Sequence, residues 1–154
     1  MTADQQAAFL ALTPQAVQWV ESCCNDVLEN GAPLTEQDLA MARRVGVVYP
    51  EKIRVSLVDT LPLPTDASLR SAALAAGLLG PGMVGLTMEH GIYLCHGHTT
   101  LRLLSHECRH VHQYEVAGSI AAFIPKYLQQ VITFGYMAAP YEIDARAHEL
   151  HTYT

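Results

Sequence analysis

Charge is what this chain has least of. Asp, Glu, Lys and Arg make up 16% of its 154 residues, below the usual quarter of a globular domain. Hydrophobic residues reach 50%, so the deficit is not that of a disordered polar chain. Cationic residues are the scarcer kind, with 9 Lys and Arg against 15 Asp and Glu and a net charge of −6. Arg43-Arg44 is the one adjacent basic pair, and no basic stripe is available to follow a phosphate backbone. The balance speaks against nucleic acid and makes a DNA-associated regulator the weakest functional reading.

Unbroken apolar runs are missing as well. Ser71 to Met88 is uncharged, but Gly77, Gly80, Pro81, Gly82 and Gly85 interrupt it. Val116 to Pro140 carries only Lys126, with Gln129 and Gln130 near its middle. Neither supplies the roughly 20 apolar residues of a membrane-spanning helix, so buried elements are expected in both places and membrane contact is not. Asp4 stands where a secretory signal would carry basic residues, and no signal is expected. Cys23, Cys24, Cys95 and Cys108 match no finger or ribbon spacing; free thiols in a reducing cytoplasm are the expectation. No repeat or low-complexity segment is visible. The length fits one domain, residues 1–154, with 1–34 a helical segment packed on the rest.

Against this background histidine is abundant, at eight residues, and two of them stand in H-E-x-x-H, from His106 to His110. Residues four apart on a helix lie one turn above each other, so both imidazoles can address one ion. Glu107 lies about 100° round from His106, placed to reach a water on that ion rather than the ion itself. Two ligands and a base on one helix are the layout of a zinc hydrolase.

The surrounding pattern predicts alternating element types. Thr13-Pro14 reads as a cap followed by proline at the first helical position; Val17, Val20, Cys24, Val27 and Leu28 then follow helical spacing to Asn30-Gly31. Trp19 and Cys23 widen that stripe. Thr35 opens a second helix, with Leu39, Ala42 and Val45 inward and Gly46 as its stop. Lys52 to Asp59 alternates as a half-buried strand, with Ile53, Val55 and Leu57 on one face. Ser68 to Leu79 reads as helix; Met83–Met88 and Ile92–Cys95 read as two strands joined near Glu89-His90-Gly91. The loop Gly97 to Thr100 should cap the H-E-x-x-H helix, whose inward stripe is Leu101, Leu104, Cys108 and Val111, and Gly118 should end it. Ile120 to Ile132 is strongly amphipathic, with Pro125 kinking that helix or restarting it. Pro140 opens a last helix running to about His151. The sum is α+β: a small, mixed sheet packed on helices.

A catalytic zinc takes three protein ligands and keeps one open position. A metzincin would need Gly and His where this chain has Gln113 and Val116. A glutamate on a later helix is the alternative, and Glu142 is well placed, with Asp144, His148 and His151 as competitors. The stretches L-L-S-H-E-C-R-H-V-H-Q-Y-E (103–115) and G-Y-M-A-A-P-Y-E-I-D-A-R-A (135–147), together with G-L-T-M-E-H-G-I-Y-L (85–94), resemble small bacterial zincin-like proteins, minimal metallopeptidase domains of the gluzincin type. The resemblance spans roughly residues 40–150. It implies a zincin-like fold, one Zn²⁺ per chain on His106, His110 and Glu142, and Glu107 as general base. It further implies peptide or protein substrates, lying along the strand region Met88 to Leu94.

One departure stands out. Many gluzincins place an Asp four residues after the ligand glutamate, where it orients a ligand histidine; here that residue is Arg146. Asp144 or a backbone carbonyl is then the candidate acceptor. Tyr136, Tyr141 and His148 are candidate donors to a tetrahedral oxyanion. Cys95-His96-Gly97-His98 is a weaker candidate second metal site, and a Cys23 or Cys24 thiol a candidate latch on the zinc. His112 should point away from the metal and Cys108 into the core. The leading reading is a zinc-dependent metallopeptidase-like hydrolase; the alternative is a non-catalytic zincin-fold module for metal binding or interaction.

Overall fold

Short polar side chains start most of the helices in the computed structural model, which describes residues 1–154. Thr2 and Gln5 close a reciprocal capping box ahead of α1 (Ala3–Ala11), a helix the apolar pattern does not announce. After one residue α2 (Thr13–Asn30) begins with Leu12 as its N-cap. Thr13 is not the cap that the sequence implied: its hydroxyl donates back to the Leu10 carbonyl at 2.6 Å. Gly31 ends α2 because of space, since a Cβ there would stand 2.6 Å from the Val27 carbonyl oxygen and 3.0 Å from Arg54 Cβ.

That close approach lets Ala32–Pro33, β1, pair antiparallel with β2 (Arg54–Val58). Between them Thr35 caps α3 (Glu36–Arg44), Gly46 turns the chain at φ +106°, and Pro50–Lys52 forms one 3₁₀ turn. The β2 alternation holds for Ile53, which is fully buried, and fails at Leu57, which is 51% exposed. Asp66 caps α4 (Ala67–Ala75). The hairpin β3 (Gly85–Met88) and β4 (Gly91–Cys95) follows, turning at Glu89-His90. Thr100 caps α5 (Leu101–Ala117), and Gly118, left-handed at φ +97°, stops it. Ser119 caps α6 (Ile120–Phe134), which runs through Pro125 without restarting, and Pro140 opens α7 (Pro140–Ala147).

The sheet order is β1-β2-β4-β3, with β2 and β4 parallel and the other pairs antiparallel. The whole is one α+β domain of seven helices and a small mixed sheet. Every residue of β4 is buried, because helices cover both faces. Tyr93 and Cys95 join the larger core with α1, α2, α4 and α6; Ile92 and Leu94 join the smaller one with α3 and α5. This corrects one expectation. Of the segment Met88 to Leu94, Gly91–Leu94 is not an edge open to a peptide: it belongs to β4, inside the sheet, and only Met88 lies on the edge strand, β3. No helix is long and apolar enough to cross a membrane.

Candidate metal centre

Leu104, Cys108 and Val111 anchor α5 on the sheet and α3, and that stripe sets where the other faces point. His106 and His110 face α7, with ring centroids 4.9 Å apart and ring planes at 74°. Glu142, in the first turn of α7, reaches between them. Its Oε1 is 3.3 Å from His106 Nε2 and its Oε2 is 3.2 Å from His110 Nε2. The Tyr127 hydroxyl donates to the same Oε2 at 2.9 Å from α6. Glu107 turns to the β3 side, where its Oε1 accepts the Thr87 hydroxyl at 2.8 Å. One donor atom each from His106, Glu107 and His110 falls within 4.8 Å of the others.

The outer contacts fix the tautomers. His106 Nδ1 lies 2.8 Å from a Glu149 carboxylate oxygen, which can only accept. His110 Nδ1 lies 2.7 Å from Gln113 Oε1. The orientation of that amide follows from its other end, where Nε2 donates to the Tyr141 carbonyl and to Asp144 Oδ2, both at 2.9 Å. Each imidazole therefore donates from Nδ1, and both Nε2 atoms are left facing carboxylate oxygens. Two acceptors at that range repel unless a proton or a cation lies between them. In the metal-free chain ring protons fill the role, making the pairs salt bridges. Ligands about 2.0–2.1 Å from a tetrahedral zinc stand roughly 3.3 Å from each other, close to both Nε2–Glu142 separations.

Charge is tuned to match. Burial opposes ionisation of His110, but the facing Glu142 carboxylate outweighs it and pushes the imidazole up to about 9. Burial also opposes the Glu142 charge, yet the hydrogen bonds from His106 and His110 hold its carboxyl far below the ordinary range. Glu107 goes the other way. Burial raises its carboxyl, and the charges of His110 and His106 and the Thr87 hydroxyl only partly offset that. A carboxylate raised toward neutrality beside two imidazoles that could hold a metal is suited to accept and return a proton.

The remaining sequence-derived residues divide. Tyr136 lines the pocket beside Glu142, and burial followed by the Glu142 and Glu107 charges raises its phenol. Asp144 touches neither ligand ring; it holds Arg109 through Nε at 2.8 Å and Gln113, acting one residue further out. Tyr141 stacks on Phe123. His148 turns its Nδ1 to the Asp144 carbonyl at 2.8 Å, and His151 is exposed. Arg146 donates to the Met137 carbonyl. His112 bonds the Gly46 carbonyl and Cys108 is fully buried. Cys95 points into the core while His96 faces Asp59 at 3.8 Å, so that loop forms no shared centre. Cys23 and Cys24 are buried against β4 and its turn, with burial raising both thiols, Cys24 to about 11. They do not line the pocket at the centre.

Three contributors escaped the sequence reading: Tyr127, Gln113 and Glu149. Gln113 alone left a usable signal, three residues after His110 on the same helix face. Comparison of the chain with protein-family models, curated proteins and solved structures gives no match.

Proposed function

We propose that the chain is a zinc-dependent hydrolase of the metallopeptidase type, with a zincin-like arrangement of helices about one metal ion. The observation that carries this reading is the pair of Nε2 atoms turned on Glu142, each with its Nδ1 already occupied by an acceptor. His106, His110 and Glu142 would hold the ion. When bound, zinc would supply Lewis acidity toward a carbonyl oxygen and lower the pKa of water. Glu149 and Gln113 hold the two rings at their Nδ1 protons, and Tyr127 orients the Glu142 carboxylate. Glu107 takes a proton from the attacking water and delivers it to the leaving nitrogen. Tyr136, lining the pocket beside Glu142, is the best-placed hydroxyl to donate to developing negative charge on the substrate oxygen. The substrate class matching this chemistry is an amide, with peptides the first case to test.

Metal analysis of the purified protein tests the reading. About one zinc per chain is expected, lost in His110→Ala and in Glu142→Ala. Zinc bound with no cleavage of any amide would leave the same centre as a non-catalytic module. No zinc uptake at all would reduce it to a buried salt-bridge cluster.

A further inference from the structure

Behind Glu107, His110 and Glu142 lies a cavity of about 110 Å³, open to solvent at its mouth. Its far wall comes from elements the metal centre does not need: Phe9 of α1, Ala16 and Val20 of α2, Leu69 and Ala73 of α4. Half-buried Trp19, Leu79 and Met83 form outer lining. Of the 23 lining residues 17 are hydrophobic, and the polar side chains all gather at one end, at Thr87, Glu107, His110 and Glu142. The tyrosine hydroxyls nearby are committed there too, Tyr127 to Glu142 and Tyr114 to the Thr87 carbonyl. Beyond that end the lining side chains carry one polar group, the Trp19 indole N–H, so the body of whatever enters must be largely hydrocarbon.

The sheet edge beside the pocket decides what kind. The Cys95 N–H donates to the Val84 carbonyl, and with the β3–β4 register this turns the backbone groups of Leu86 and Met88 toward β4. Only Gly85 and Thr87 face outward, and the Tyr114 hydroxyl already sits on the Thr87 carbonyl at 3.3 Å. An extended peptide could pair only with Gly85 and the Thr87 N–H, a stretch of three residues. A hydrocarbon chain needs no such partner.

We propose that the amide cleaved here is an acyl amide whose hydrocarbon chain lies in this pocket, with its carbonyl at the polar end. Hydrolysis adds water across the C–N bond: the hydroxyl goes to the acyl carbon, the proton to the nitrogen, and no electrons are exchanged with a third party. The cleavage step rests on the hydrolase reading above; occupation of the pocket by the chain does not.

The only tryptophan of the protein, Trp19, lines the pocket and reports on it directly. The full chain, metal-free and with one equivalent of zinc, is titrated with hexanamide, octanamide and decanamide while Trp19 emission is followed. A saturable change is expected, with affinity rising roughly fourfold for each added CH₂ until the pocket is full. Ala73→Phe and, separately, Ala16→Phe should weaken decanamide binding at least tenfold. Leu128→Ala, which enlarges the pocket, should instead move the best chain length upward, and this holds the test if the larger residues disturb folding. No Trp19 response to any alkanamide overturns the proposal, as does a response confined to N-acetylphenylalaninamide, which would assign the pocket to a peptide side chain. Alkanamide binding without zinc uptake would retain the pocket and remove the hydrolase. Zinc uptake without alkanamide binding would do the reverse.

Discussion

Gln113 faces His110 at 2.7 Å and decides which nitrogen of that ring is turned to Glu142. Because its amide nitrogen is tied to Asp144 and the Tyr141 carbonyl, its oxygen has one orientation, toward Nδ1. Asp144 is in turn held by Arg109, whose Nη1 also donates to the Val45 carbonyl at 2.8 Å. The ring is thus braced from α7 and from the end of α3. Replacing Gln113 by Leu should lower zinc affinity about 10- to 100-fold, the usual effect of losing an outer partner of a ligand histidine. Glu149→Ala should act similarly through His106. Competition against a chelator of known affinity measures both, and unchanged affinity in both variants would remove the tautomer argument.

On the proposed reading, Glu107 should be separable from metal binding. Glu107→Gln keeps the oxygen that accepts from Thr87 but cannot carry the proton. Zinc content should stay near one per chain while turnover falls about 10²- to 10⁴-fold, the range for loss of a general base. Loss of the metal in this variant would mean that Glu107 is itself a ligand.

Gly85 sets how near β3 comes to that base. A Cβ there would lie 2.9 Å from Glu107 Oε2 and 3.1 Å from Leu103 Cδ1. Both neighbours are held by packing, so Gly85→Ala must move the strand or the carboxylate. A stability loss of about 1–3 kcal/mol is expected, with turnover reduced and zinc retained. Denaturant unfolding beside a single-turnover assay separates the two effects; wild-type values in both would show that the hairpin yields freely.

Much of this arrangement was legible because it is local. The α5 face follows from four-residue spacing, the Thr100 cap and Gly118, and Glu142 follows Pro140 at a helix start. What was hidden depends on elements crossing at long range. Tyr127 sits on the apolar stripe of α6 and becomes a polar partner only because α7 brings Glu142 under its hydroxyl. Glu149 lies beyond the end of α7, where no period marks it. The edge position of β3 is topological, set by β4 pairing parallel with β2. Even so a clue was present: Gly91–Cys95 carries no polar side chain except the Tyr93 hydroxyl, the composition of a strand covered on both faces rather than of an edge.

The other buried ionisable cluster should make stability depend on pH. At the β3–β4 turn His90 Nδ1 lies 2.6 Å from Glu89 Oε1 and its Nε2 lies 3.1 Å from Glu115 Oε2. Glu115 also accepts the Val48 and Tyr49 N–H groups, tying α5 to the loop after α3. Burial works against charge on His90, but the bonds and charges of Glu89 and Glu115 outweigh it and raise the imidazole. Glu89 is lowered, first by the His90 hydrogen bond against its own burial, with Lys52 adding to the effect. A raised histidine stabilises fully below its unfolded value, about 6.5, and loses that contribution as pH climbs through the folded value. A lowered glutamate stabilises above its unfolded value, about 4.3, and loses the contribution as pH falls through the folded one. Both are complete only between those limits. The stability gap between wild type and His90→Gln should therefore be widest near pH 5–6 and narrow by pH 9. Guanidinium unfolding at both pH values measures it, and a gap that stays constant or widens with pH would mean that His90 folds uncharged.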